Sequence, residues 1–401
     1  MLRKAAYIVD AVRSPIGRYG GALSTIRPDD LLALMLKSLT LRNPGLDPAA
    51  IEDVIAGATN QAGEDNRDVA RMAALLAGFP VTVAGNTVNR LCASGLQAIM
   101  DASRAVMCGE GDVYMAGGVE SMTRAPFVMA KSEGAFSRQT EVHDSTIGWR
   151  FTNKKLAAMY HPYSMGETAE NVARQWNISR EAQDELAFGS QQKYKAALQA
   201  GKWADEIIPV TITPNKQDQV IFSQDEPPRD TSLEKLAGLK PAFIKDGSVT
   251  AGNSAGINDG SSAVLIVSEE ALKQFNLTPL ARIKSMAVAG VDPAIMGIGP
   301  VPATQKALKR AGIGVNDLDI IELNEAFAAQ ALACIHDLQL DRTKINLNGG
   351  SIAIGHPLGC SGARIVTTLL HEMKRHQGAK LGLATMCVGV GQGAAMVFEK
   401  V

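Results

Sequence analysis

Apolar residues recur at helical spacing most clearly at Leu96, Ile99, Met100, Val106 and Met107, with only the small Ser103 interrupting that face. An apolar stretch from Val81 to Val88 leads in, so the residues between, Asn89-Arg90-Leu91-Cys92-Ala93-Ser94-Gly95, read as a strand-to-helix turn. A second amphipathic helix is predicted from about Ser179 to Ala200. Short apolar runs such as Val113-Tyr114-Met115-Ala116 and Lys380-Leu381-Gly382-Leu383-Ala384-Thr385 read as strands. Strand and helix patterns alternate, which predicts an α/β protein with a mostly parallel sheet covered by helices.

The alternation occurs twice. Gly45 to Val54 and Gly312 to Ile321 both run glycine, acidic loop, apolar strand, and Ser94-Gly95 recurs as Ser361-Gly362; both pairs are offset by 267 residues. One offset shared by two motifs predicts a duplicated half. From Thr123 to Ser248 the texture changes to polar, proline-bearing loops such as Gln224-Asp225-Glu226-Pro227-Pro228-Arg229, which predicts an inserted cap. Val249 to Ser268 returns to the apolar, glycine-punctuated pattern and is expected to rejoin the first half as its last helix and strand. The expected domains are therefore a first half over 1–122 completed by 249–275, a cap over 123–248, and a second half over 276–401.

A chain of 401 residues exceeds what one core usually holds, in keeping with two or three domains. A net charge of −1, from 40 Lys+Arg against 41 Asp+Glu, gives no footprint for nucleic acid or an anionic membrane, so an anionic ligand must be held by local groups. Five cysteines, an odd number in no regular framework, predict reduced thiols and a cytoplasmic setting, and no CxxC pair suggests a metal. The start, Met1 to Asp10, has two basic residues and a short apolar run going straight into a strand pattern, unlike a secretory signal or transit peptide. No segment is long and apolar enough to span a bilayer.

Candidate chemistry gathers at three glycine-rich places. Cys92 has small neighbours that admit a bulky substrate, and its place before a helix predicts that free amides and the helix dipole lower its pKa. Taken alone it reads more readily as a buried structural cysteine. His356 lies in Gly349-Gly350-Ser351-Ile352-Ala353-Ile354-Gly355-His356-Pro357-Leu358-Gly359, and Cys387 in Met386-Cys387-Val388-Gly389-Val390-Gly391-Gln392-Gly393. The last glycines invite a dinucleotide-binding reading, but they lead into the strand pattern Ala394-Ala395-Met396-Val397-Phe398 with no helix to receive a pyrophosphate.

Together with Asn324-Glu325-Ala326-Phe327, these stretches resemble the thiolase family, and the resemblance runs from the first strand to the last residue. Further similar stretches are Asp10-Ala11-Val12-Arg13-Ser14-Pro15-Ile16-Gly17, Ala116-Gly117-Gly118-Val119-Glu120-Ser121-Met122 and Thr250-Ala251-Gly252-Asn253. The resemblance implies duplicated βαβαβαββ halves in a five-layered α/β/α/β/α core with an inserted cap. It implies ping-pong acyl transfer with Cys92 as nucleophile, His356 as its base, and Cys387 as the acid and base that exchanges a proton with the acetyl α-carbon. Two anion holes are expected: His356 with a water held by Asn324 for the enolate, and the backbone amides of Cys92 and Gly389 for the tetrahedral oxyanion. Losing one such donor costs on the order of 10² to 10³ in rate, more than the roughly thirtyfold that full thiol ionisation gains. No cofactor is expected to be permanently bound. Coenzyme A enters as co-substrate, with Arg229 near the adenine and the turn holding Ser254 and Ala255 at the pantetheine. Many thiolases read Asn-Ala-Ser-Gly there, whereas this chain has Asn253-Ser254-Ala255-Gly256, which moves the hydroxyl by one residue. Cys108, Cys334 and Cys360 have no role in the family pattern and read as structural. The resemblance also implies a homotetramer, a dimer of dimers.

Two features bear on the acyl group. Short-chain acetoacetyl thiolases commonly carry histidine where this chain has Ser164, before Met165-Gly166-Glu167-Thr168-Ala169-Glu170. The stretches Gln61 to Arg71 and Thr146-Ile147-Gly148-Trp149-Arg150-Phe151 resemble the β-ketoadipyl-CoA thiolase branch, which works at the end of aromatic-compound breakdown. The implied reaction converts 3-oxoadipyl-CoA and coenzyme A to succinyl-CoA and acetyl-CoA. That substrate ends in a carboxylate, which needs a cation or several donors in a cleft built for acyl chains. Arg150 is the candidate, against the alternative of a surface arginine stacked on Trp149. The other readings are a general 3-ketoacyl-CoA thiolase or acetyl-CoA C-acetyltransferase, and a non-catalytic acyl-CoA-binding protein of the same fold.

Overall fold

The computed structural model describes residues 4–132, 134–138, 140–213 and 218–401. Met1 to Arg3 of the N-terminal stretch lie outside the described residues. The main sheet runs, edge to edge, through Ala84–Val88, Asp53–Gly57, Val113–Ser121, Asn258–Val267, Tyr7–Arg13, Ala281–Gly290, Gln392–Lys400, Leu381–Val388 and Ile320–Leu323. Its two halves meet at a narrow seam, where Tyr7 pairs with Arg282 and Ile8 with Ala281. Each half has the same order and pairing. Asp53–Gly57 runs parallel to both Ala84–Val88 and Val113–Ser121, as Ile320–Leu323 does to Leu381–Val388, and the other neighbours along this path are antiparallel, so the sheet is mixed rather than mostly parallel. The strands starting at Asp53 and Ile320 lie 267 residues apart, the offset of the sequence repeat. In the second half the third strand is reduced to a bridge between Ile321 and Ile345.

The helices Ser94–Cys108 and Leu358–Arg375 pack on each other between the two halves, and Pro28–Arg42 and Pro300–Ala311 cover the outer faces. This produces the five layers. The predicted apolar face of the Ser94 helix is buried against Ile365, Val366, Leu369 and Leu370, and each such side chain contributes about 1.5–3 kcal/mol. A Cβ at Gly95 would lie 2.7 Å from Gly359 O, and one at Gly362 would lie 2.3 Å from Leu96 N. The repeated Ser-Gly pair is thus the crossing point of the central helices, where backbones touch and no side chain fits. Both helices begin there, so the Cys92 and His356 turns are brought to one place.

Between Ser121 and Asn258 the described chain adds no strand to the main sheet. The predicted amphipathic helix is Arg180–Gln199, with Ser179 capping it. Val249 to Ser268 does return to the first half, but as the strand Asn258–Val267 alone. Its first part is a turn rather than a helix, because the Asn253 side chain captures Thr250 N at 2.8 Å and donates to Asp184 at 2.9 Å. Arg13, fully buried on the first strand, ties this insertion down. Its guanidinium donates to Glu206 and to both oxygens of Asp225, and lies 5.1 Å from the Trp203 ring centre. The stretch leading into Cys92 forms the half-exposed edge strand Ala84–Val88. Among the described residues no helix is long and apolar enough to cross a membrane.

Candidate active site

Cys92 lies between the strand Ala84–Val88 and the helix Ser94–Cys108, as its turn predicted. The turn is held by Leu91 N on Asn89 Oδ1 at 2.8 Å, Arg90 N on Ser94 Oγ at 2.9 Å, and Ser94 Oγ on Leu91 O at 2.6 Å. Leu91 has a φ of 46° and Val390, in the hairpin between the last two strands, a φ of 58°. Left-handed conformations in such residues cost of order 1 kcal/mol or more. The two strained turns face each other and direct the N–H groups of Gly389 and Cys92 at the thiol. These are the donors expected for the tetrahedral oxyanion. The glycine-rich loop does lead into the strand Gln392–Lys400, as the sequence indicated.

The thiol opens on a cavity of about 460 Å³, within the range of small-molecule sites. Leu91, Met165, Leu358, Gly389 and Val390 line it together with Ser145 to Phe151. The expectation of a lowered thiol pKa is corrected here. Burial pushes Cys92 above the ordinary thiol range, and the Gly389 and Cys92 amides offset this only in part. Desolvation outweighs the helix N-terminus.

His356 is placed by its backbone and its ring. Gly355 has a φ of +110°, and a Cβ on it would fall 2.7 Å from the Asn258 side chain. Asn258 Oδ1 accepts from His356 N at 2.9 Å while its Nδ2 donates to Gly17 O at 2.9 Å. The ring Nδ1 lies 2.6 Å from Ser361 Oγ, which lies 2.8 Å from Pro357 O. A carbonyl only accepts, so the Ser361 proton goes to Pro357 and Ser361 accepts Nδ1–H. Nε2 is then a bare lone pair, buried and unpartnered. Burial, with Arg364 as the lesser cause, pushes the imidazole down to about 4, so it is neutral at pH 7 and can take a proton at Nε2.

Asn324 follows the strand Ile320–Leu323, with its backbone N on Thr385 O at 3.0 Å. Its Oδ1 accepts from Ser351 at 2.6 Å, and its buried Nδ2 has no partner. Cys387 is packed under Phe327, Met296 and Val249. Burial first, and the nearby Cys92 thiol second, raise it well above the ordinary range, so it holds its proton. Sequence reasoning missed Ser351, Ser361, Asn258 and Glu120. Glu120 is buried and accepts from Thr59 N at 3.0 Å, Thr59 Oγ1 at 2.6 Å, Asn60 N at 3.2 Å and Gly359 N at 2.8 Å, which binds the histidine turn to the first half. The closely packed glycines beside three of these residues, Gly118 near Glu120, Gly350 before Ser351 and Gly362 after Ser361, were the available signal.

The remaining candidates divide. Arg150 lines the Cys92 cavity and has no hydrogen-bond or ion-pair partner among the described residues. It is not stacked on Trp149, whose indole donates to Tyr163 O at 3.0 Å. Ser164 also lines the cavity and caps the helix Met165–Gln175 in a capping box with Glu167. Arg229, Ser254 and Ala255 stand apart from the cavity: Ser254 and Ala255 are on a turn beside Ala326 and Phe327, and Arg229 reaches that turn from a separate loop. Arg229 Nη1 donates to Ala251 O at 3.3 Å, Ser254 Oγ to Thr250 O at 2.7 Å, and Ala255 N to Ala326 O at 3.0 Å. Arg229 is exposed, whereas the Ser254 hydroxyl proton is committed to the backbone.

Residues 6–270 match the family described as thiolase, N-terminal domain, and residues 277–400 match thiolase, C-terminal domain. The chain is 55% identical, over 99% of its length and all of the relative, to the 3-oxoadipyl-CoA/3-oxo-5,6-dehydrosuberyl-CoA thiolase of Escherichia coli K12. It is 53% identical over the whole of both chains to the beta-ketoadipyl-CoA thiolase of Pseudomonas aeruginosa. Among solved structures, the acetyl-CoA acetyltransferase of Bacillus anthracis superposes with a TM-score of 0.93 at 45% identity over all of both chains. Human mitochondrial 3-ketoacyl-CoA thiolase in complex with CoA gives 0.92 at 40%, covering 100% of this chain and 99% of that one. Since both halves and the insertion between them are covered at this identity, the chain belongs to the thiolase family and is an acyltransferase.

Proposed function

We propose that the enzyme cleaves 3-oxoadipyl-CoA with coenzyme A to succinyl-CoA and acetyl-CoA, in the catabolism of aromatic compounds. The observation that carries the substrate is Arg150, the one cationic side chain lining the Cys92 cavity among the described residues, and unpaired. The names of the bacterial relatives support it, since the adipyl and suberyl groups they print both end in a carboxylate.

The resting thiol and imidazole are both neutral, so proton transfer from Cys92 to His356 Nε2 accompanies attack on the 3-keto carbon. The alkoxide is held by the N–H groups of Cys92 and Gly389. Its collapse breaks the carbon–carbon bond, and the enolate oxygen of the departing acetyl-CoA meets His356, now carrying Nε2–H, and a water held by Asn324 Nδ2. Cys387 gives its proton to the α-carbon. In the second half, the Cys387 thiolate takes the thiol proton of coenzyme A, the coenzyme A sulfur takes the succinyl group, and Cys92 regains its proton from His356. Arg229 and the turn at Ser254 and Ala255 hold coenzyme A, which comes and goes as co-substrate.

The half-exposed edge strand Ala84–Val88 and the exposed apolar side chains Phe127, Met129 and Val142 support assembly as a homotetramer. Five free thiols support a cytoplasmic setting. The test is kcat/KM for thiolysis of 3-oxoadipyl-CoA, acetoacetyl-CoA and a medium-chain 3-ketoacyl-CoA, in the parent and in Arg150→Ala. One charge-assisted hydrogen bond is worth roughly ten- to a hundredfold, and the loss should fall on 3-oxoadipyl-CoA alone. An equal fall for acetoacetyl-CoA would assign Arg150 to the cap or coenzyme A, and a preference for an uncharged substrate would favour a general 3-ketoacyl-CoA thiolase.

A further inference from the structure

The buried amide of Asn324 can present either its oxygen or its NH₂ to the reacting centre, and only the second can hold a water that donates to an enolate. Nothing in the amide itself decides this. Three contacts behind it do. Arg364 Nη2 lies 2.9 Å from Ser351 Oγ, and Ser351 Oγ lies 2.6 Å from Asn324 Oδ1. A guanidinium only donates, so Arg364 occupies a lone pair of Ser351, whose single proton must point at Asn324. An oxygen of Asn324 satisfies that proton, whereas a flipped NH₂ would oppose it. Arg364 is held in turn from Glu322, 3.4 Å from its Nη1, and all four side chains are buried. The far end of the relay is Asn324 Nδ2, buried and without a partner.

We propose that Ser351 is a positioning residue: driven by Arg364, it fixes the orientation of the Asn324 amide so that Nδ2 faces the reacting centre. The relay runs one way, because it starts on a group with no acceptor and ends on one with donors to spare. Removing the Ser351 hydroxyl frees the amide to turn its oxygen toward the developing negative charge. This inference rests on the role given above to Asn324 in the carbon–carbon step.

The test separates the two half-reactions in purified Ser351→Ala, with 3-oxoadipyl-CoA thiolysis for the first and isotope exchange between succinyl-CoA and free coenzyme A for the second. One neutral hydrogen bond corresponds to a change of about two- to tenfold. The expected result is a fall of that size in kcat for thiolysis, with KM for coenzyme A and the exchange rate unchanged. Ser351→Thr, which keeps the hydroxyl, should recover most of the loss, and Ser351→Ala should add nothing in an Asn324→Ala background. An equal loss in both half-reactions, or parental thiolysis by Ser351→Ala beside an impaired Asn324→Ala, overturns the proposal alone. An Asn324→Ala variant with no selective defect in thiolysis overturns the role of Asn324 and this proposal with it.

Discussion

Arg90 Nη1 donates to Gln392 Oε1 at 3.0 Å, joining the turn before Cys92 to the strand after Gly389 across 302 residues of sequence. Arg90 Nε is held on Gln97 Oε1 at 2.7 Å, so the strap is anchored in the Ser94 helix. The two backbone donors it spans come from different halves of the chain, and their spacing depends on how the halves sit against each other. Arg90→Ala and Gln392→Ala should each lower kcat by about two- to tenfold, the worth of one hydrogen bond, with little change in KM. The double variant should lose no more than either single one, as expected of partners in one contact. Additive losses in steady-state kinetics would show that the two side chains act separately.

Replacing either thiol should separate the chemistry. Cys92→Ala puts a small residue for a small one at a turn and should fold normally while forming no acyl-enzyme, read as the absence of a mass increase with acyl-CoA. Cys387→Ala should still take an acyl group on Cys92 but fail in carbon–carbon cleavage, since only that step moves the α-proton. Equal loss in both reactions of Cys387→Ala would contradict the division of labour.

The imidazole of His356 should titrate near pH 4 rather than near 6.5. Its protonation should therefore leave kcat/KM flat from pH 7 down to about 5, with the acid limb below that. For stability the sign follows from the lowered native value. Between roughly pH 6.5 and 4 the unfolded chain binds a proton at this residue that the native protein does not, so the contribution is complete above pH 6.5 and is lost as pH falls through 4. Histidine Cε1 shifts followed by NMR across this range check the assignment. A midpoint near 6.5 would contradict it.

Gly362→Ala should strongly destabilise the fold, because the new Cβ would lie 2.3 Å from the Leu96 backbone nitrogen. Overpacking typically costs about 1–3 kcal/mol, and the helices would have to separate at the point that sets the Cys92 and His356 turns. A fall in Tm together with lost activity is expected. A variant as stable and active as the parent would show that the central helices can part there.

What the sequence made legible was whatever glycine spacing and apolar periodicity record directly. The turn at Cys92, the helix from Ser179 and the doubled plan all appear where those patterns put them. The Ser-Gly repeat was readable because close backbone contact leaves no choice of residue. The protonation state of Cys92 was not readable, since it depends on burial by residues hundreds of positions away, and that burial overcame the local helix terminus. Ser361 and Ser351 escaped notice because a serine is an ordinary residue at a helix start. Their significance lies in which neighbour can only accept and which can only donate. The turn at Thr250 to Asn253 is not legible in the sequence, because its capture by Asp184, on a distant helix, leaves no periodic trace.

Arg13 bears on timing as well as on architecture. Withdrawing Asp225 or Glu206 from it would leave a charge stranded in a dry interior, at a cost of about 3–5 kcal/mol. An excursion of that size is populated once in hundreds to thousands of molecules. The segments at Glu206 and Asp225 therefore stay on the first strand for nearly all of the time. The part of the insertion that carries Glu206 and Asp225 is thus a fixed wall against which the rest of the insertion, with Arg150 in it, is set.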